Sequence, residues 1–128
     1  MEKFGLKAEE WMVELLSRNG TETRRATLKE DTVFKVDFWV RLNGYWLPIQ
    51  FSVDKEAIMS WKGKDALQRG VVPIWVDAQE LEIAIANGNG IGIVKEFWAR
   101  VEKVLDIFPS CKRFQEPQWN QNLHSSFI

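Results

Sequence analysis

The chain has 128 residues, 45% of them apolar and including seven Trp and eight Phe, enough material for one domain with a substantial core. A net charge of −1 and a pI near 5.9 exclude a protein that coats nucleic acid through bulk charge, so a polyanion would have to be met by a local patch. The single cysteine, Cys111, excludes an internal disulfide, and neither a signal-peptide core nor a bilayer-spanning apolar run can be read, so a reducing cytoplasm and no membrane partner are expected.

The first predicted element is a helix from about Phe4 to Asn19, with Ala8, Trp11, Met12, Leu15 and Leu16 on one stripe and Gly20 as its stop. Residues 21–30 are polar and read as a weak strand or a loop that carries Arg24 and Arg25. Two alternating runs, 33–42 and 45–53, are separated by Asn43-Gly44, the dipeptide that most strongly signals a two-residue type I′ hairpin. Their core-facing sets are expected to be Phe34, Val36, Phe38 and Val40 with Leu47, Ile49, Phe51 and Val53. Trp39 and Trp46 would then share the opposite face with Asp37, where they could shield the site, stack a base or be buried by the first helix, the last being the expectation.

Asp54 can cap a helix that runs to about Gln68, weakened in its middle by Gly63. The nearly all-apolar run Val71–Val76 has the pattern of a strand covered on both faces and entered through a crossover helix, which makes it parallel to its neighbour. Asp77 and Glu80 resemble a capping box for a helix to about Ala86, and a longer amphipathic helix spans roughly 91–108. One domain over 1–108 and an irregular tail over 109–128 are expected. This order predicts an α/β fold with a mixed sheet: an antiparallel meander extended by one parallel strand through a right-handed crossover, with helices on the faces.

Chemistry concentrates at the hairpin. If Leu42 pairs with Tyr45, then Asp37 faces Gln50 and Lys35 faces Ser52. Directly opposed residues share a face with Cβ atoms roughly 4.5–5.5 Å apart, close enough for two oxygen ligands to hold one hard cation. His124 stands outside any His/Cys cluster, and Gly88, Gly90 and Gly92 do not form a phosphate-cradling motif, so zinc, a nucleophilic triad and a nucleotide loop are not expected.

Gly5-Leu6-Lys7-Ala8-Glu9 at the opening helix, Gly20 at its end, Val36-Asp37 on one strand and Ile49-Gln50-Phe51-Ser52 on the next together resemble the PD-(D/E)XK nuclease superfamily, the restriction-endonuclease-like fold. Among its branches the likeness is greatest to the archaeal Holliday-junction resolvases, and it covers about residues 5–76. Gln50 and Ser52 stand where that family carries its Glu and Lys. The resemblance implies a Mg²⁺- or Mn²⁺-dependent endonuclease acting on DNA, including branched or flapped DNA, as a monomer or homodimer. It implies Asp37, Gln50 and the carbonyl of Phe51 as metal ligands, with Glu9 completing the shell and Lys55 attending the nucleophile. Lys35, opposite Ser52, is the alternative lysine. Arg24, Arg25, Lys62 and Lys64, with Arg69, are the candidates for the phosphate backbone.

Each residue has a structural reading beside this one. Asp37 could be a solvated face residue, Glu9 could simply favour the helix dipole, and Lys55 could be a first-turn surface lysine after its cap. The alternative at the level of function is a catalytically lapsed domain of the same fold that binds nucleic acid or a protein.

Overall fold

The computed structural model describes residues 2–116, with side chains from residue 7. His124, singled out above, and the rest of 117–128 lie outside the described residues. Six helices and four strands are seen within the described residues: α1 (Glu2–Arg18), β1 (Thr23–Arg25), α2 (Leu28–Val33), β2 (Phe38–Leu42), β3 (Tyr45–Ser52), α3 (Lys55–Met59), α4 (Trp61–Gln68), β4 (Val72–Trp75), α5 (Ala78–Asn87) and α6 (Ile91–Ile107).

The hairpin forms around Asn43 and Gly44, both at positive φ (53° and 84°), as a type I′ turn demands. Leu42 pairs with Tyr45, Arg41 with Trp46, Trp39 with Pro48 and Phe38 with Ile49, so the expected register holds as far as Phe38. On one side β1 joins β2 antiparallel; on the other β4 joins β3 parallel, with the sheet order β1-β2-β3-β4. The mixed α/β sheet with one parallel strand is therefore present.

Both faces of the sheet are buried. Phe38, Val40, Leu47, Ile49, Phe51, Val72, Ile74 and Val76 pack under α1, α5 and α6, where Met12, Leu15, Leu16, Leu81 and Phe97 are sealed from solvent. Each such side chain contributes about 1.5–3 kcal/mol through removal from water. The opposite face carries a smaller cluster of Val36, Trp39, Trp46, Ala66 and Val71. Trp39 and Trp46 are thus covered by the α4 layer and by Phe114, not by the first helix; Phe114 pairs with Trp46 through backbone bonds in both directions.

Two segments differ from expectation. The run 33–42 is not one strand: residues 28–33 form α2, Phe34 and Lys35 turn the chain, and β2 starts only at Phe38. The signal was Thr27-x-x-Glu30, a complete capping box in which Thr27 Oγ1 accepts from the Glu30 N–H and Glu30 Oε1 accepts from the Thr27 N–H. Glu30 Oε1 also accepts from Trp39 Nε1 at 3.1 Å, which satisfies a fully buried carboxylate and a buried indole together. Phe34 and Val36 consequently belong to the α4-side cluster rather than the main core.

The second difference is the expected helix over 54–68, which breaks at Ser60 into α3 and α4. Asp54 caps α3 through the Glu56 and Ala57 N–H groups. At Gly63 a Cβ would lie 1.9 Å from the Ile58 carbonyl oxygen, so the sharp bend between α3 and α4 exists only because residue 63 has no side chain.

Candidate active site

Asp37 lies one residue before β2, where the regular ladder gives way: its N–H donates to the Ile49 carbonyl and its Oδ2 accepts from the Phe51 N–H at 2.7 Å. The carboxylate therefore replaces a missing backbone acceptor on β3 and lies along the strand edge. That places it at the mouth of a 180 Å³ cleft lined by Ala8, Glu9, Asp37, Phe51, Ser52, Val53 and Lys62. Glu9 reaches the cleft from α1, whose Ala8 and Met12 anchor it to the core, and Lys62 reaches it from the first turn of α4.

The electrostatics are those of two acids held together out of water. Burial pushes the Glu9 carboxyl up from 4.5 to about 8; Asp37 and Asp31 add to the rise, and Arg25 and Lys62 oppose it. Asp37 rises from 3.8 to about 6, again through burial, against the pull of the Phe51 N–H and of Lys62 and Arg69. At neutral pH the pair is split, with Asp37 ionised and Glu9 protonated.

Gln50 does not join them. It is buried and outside the cleft's lining, and its Oε1 accepts from Arg69 Nη2 at 3.2 Å. The Arg69 guanidinium also donates to the Phe34 carbonyl and pairs with Asp65. The opposition predicted from register fails at this step because the Asp37 side chain follows the strand edge while Gln50 points into the α4 layer.

Lys35 sits in a left-handed turn (φ 60°) and is exposed, so it does not stand across from Ser52. The Ser52 hydroxyl accepts from the Asp54 N–H at 2.9 Å, and so supports the entry to α3. Lys55 lies with its Nζ 5.3 Å from the Trp75 ring centroid and lines a different cavity, as does Lys64. Lys62 is the lysine that the fold brings to the two acids. Arg24 and Arg25 are exposed on β1, with Arg25 near enough to Glu9 to oppose its rise. Asp31, on α2, acts on both acids and was not singled out from the sequence because α2 itself was not foreseen.

No protein family, curated protein or solved structure matches this chain.

A divalent cation can be tested against the donor set. Among the described residues no three His, Cys, Asp or Glu side chains converge as a metal-holding group. Two carboxylates do share one polar cleft, where burial raises both above their ordinary values. Mg²⁺ is commonly held by one or two carboxylates while it keeps several waters, so Glu9 and Asp37 fit that requirement. Gln50 does not line the cleft, and its carbonyl oxygen accepts from Arg69.

Proposed function

We propose that the chain is a Mg²⁺- or Mn²⁺-dependent endonuclease acting on DNA, in a restriction-endonuclease-like fold of the PD-(D/E)XK type. The observation that carries the reading is the convergence of Glu9, Asp37 and Lys62 on one small polar cleft at the end of the central hairpin. The sheet order supports it, since an antiparallel meander extended by a parallel strand is what the resemblance implies.

Glu9 and Asp37 would hold the cation, and Gln50 leaves the proposed ligand set. When bound, the cation neutralises charge building on the phosphate and makes a bound water more acidic. Asp37 is fixed for this by its bond to the Phe51 N–H, which locks the carboxylate without help from solvent. Lys62, rather than Lys55 or Lys35, lines the cleft, and its ammonium would orient the attacking water and offset the charge building on the phosphate. Arg25 on the β1 side can meet a phosphate of the same strand of DNA.

The catalytically lapsed reading draws on one observation, the withdrawal of Gln50 to Arg69 where a charged ligand would otherwise stand. Plasmid nicking in Mg²⁺ and in Mn²⁺ separates the two. The wild-type chain is expected to nick and Asp37→Ala to lose at least about 10²-fold. Wild-type protein that cuts no single-stranded, duplex or branched DNA in either ion would assign it to the lapsed class.

A further inference from the structure

A second cleft, of 470 Å³, opens between α3–α4 and α6 above β4, with Pro73 and Trp75 as its base. Its volume falls in the range of roughly 300–1,000 Å³ usual for small-molecule sites. Four cations line it, Lys55, Lys64, Arg100 and Lys103, and no carboxylate does. For a chain with a net charge of −1 this is a local excess that selects an anion. Arg100 stacks on Trp75 with Cζ 3.8 Å from the ring centroid, and Lys55 Nζ approaches the same ring at 5.3 Å, so two cations gather at one end. Glu96 pairs with Arg100 from outside the lining, and the Arg100 Nε is buried with no hydrogen-bond partner.

The remaining walls are mostly aliphatic, with Phe108 and Ser60 as the exceptions. Leu67, Val104 and Ile107 continue away from Trp75, and seven residues of helix put Ile107 about 10 Å beyond Arg100 along α6. Met59 and Ile107, 66% and 57% exposed, stand uncovered at the rim. From this combination we infer that the cleft binds a free, monomeric anionic amphiphile, an aliphatic chain that ends in a carboxylate or phosphate. The head would lie at Arg100 and Lys55 and the chain along Leu67 and Ile107. Nucleic acid is the poorer fit, because most of the apolar wall is aliphatic and the Trp75 ring is already engaged by cations. A bilayer surface fits less well too, since the apolar groups line a concavity instead of a protruding face.

The probe is decanoate, titrated into the full ¹⁵N-labelled chain and followed by amide chemical shifts. Saturable one-to-one shifts confined to residues 55–67, 72–76 and 100–108 are expected, with none from decyltrimethylammonium at the same concentrations. Lys103→Glu and Ile107→Glu, both at exposed positions, should each weaken decanoate at least tenfold while the folded spectrum is retained. The inference is overturned if the shifts scatter over the surface, if the cationic amphiphile binds equally, or if both variants bind as the wild type does. It is equally overturned if oligo(dT) or anionic vesicles move these amides and decanoate does not. DNA nicking is a separate readout, so either proposal can fail without the other.

Discussion

Lys62 and Lys55 show how little separates a site residue from a surface residue. Both follow a helix start, both are lysines near the end of β3, and only the bend at Ser60 turns Lys62 toward Glu9 and Asp37. Lys62→Ala is therefore expected to lower nicking by about 10²-fold, whereas Lys55→Ala stays within about threefold, measured as initial rates in Mn²⁺. Glu9 and Asp37 also carry a pH signature. Both carboxyls hold their proton more tightly folded than unfolded, so their contribution to stability is fully present below about pH 4 and is lost as pH rises through about 6 for Asp37 and about 8 for Glu9. For Asp37 the move from 3.8 to about 6 is worth at most about 3 kcal/mol, less whatever solvent screening removes. Without divalent ions, Glu9→Gln should become more stable relative to the wild type between pH 5 and pH 9, as followed by urea denaturation. A difference that stays flat across that range would mean that Glu9 ionises as it does in water.

At the scale of elements, the α3–α4 bend does two jobs: it delivers Lys62 to one cleft and opens the other beneath Lys64 and Leu67. It depends on Gly63, where a methyl group would meet the Ile58 carbonyl oxygen at 1.9 Å. Backbone cannot yield as a side chain tip can, so Gly63→Ala should lower the unfolding free energy by about 1–3 kcal/mol, read from urea denaturation, and reduce nicking with it. A neutral effect on both would show that the bend is not fixed by that contact. The capping box of α2 acts in the same way on the other side of the site, since α2 turns the chain so that β2 starts after Asp37 and leaves that carboxylate free of the ladder. Most elements were legible: α1, β3, β4, α5 and α6 all lie within a few residues of the ranges read from periodicity and caps, and the hairpin turn and register hold although β2 is shorter than the run read for it. α2 was not, because a short helix with an exposed Leu28 and Val33 has no apolar stripe to betray it, and the capping signal was outweighed by the alternation that follows.

For the molecule as a whole, the sheet acts as a partition. Its main face holds the core beneath α1, α5 and α6, its second face holds Trp39 and Trp46, and the acidic cleft opens where β3 runs out between α1 and α4. Charge compensation there should couple cation binding to global stability, because an ion that binds only the folded chain raises its melting temperature by mass action. Mn²⁺ is expected to stabilise the wild type more at pH 8.5 than at pH 6, since at the lower pH it must displace the Glu9 proton. Gln50→Glu should leave that increment within about threefold in apparent affinity, because the new carboxylate would meet Arg69 and not the cleft. A marked tightening in calorimetry would return residue 50 to the ligand set.

Local signals alone determined the hairpin and its register, since the Asn-Gly turn is a property of two residues and side-chain alternation does the rest. They also determined the spans of α1, α5 and α6 and the parallel β4, whose apolar run is buried along most of its length. Which side chains meet was decided only in three dimensions. Asp37 leaves its register partner to cap the Phe51 N–H, Gln50 turns to Arg69, and Lys62 arrives from beyond a helix break. The reason is that register fixes where a Cα lies, whereas the direction of a side chain at the end of a strand follows from unpaired backbone groups and charges contributed by elements far away in the chain.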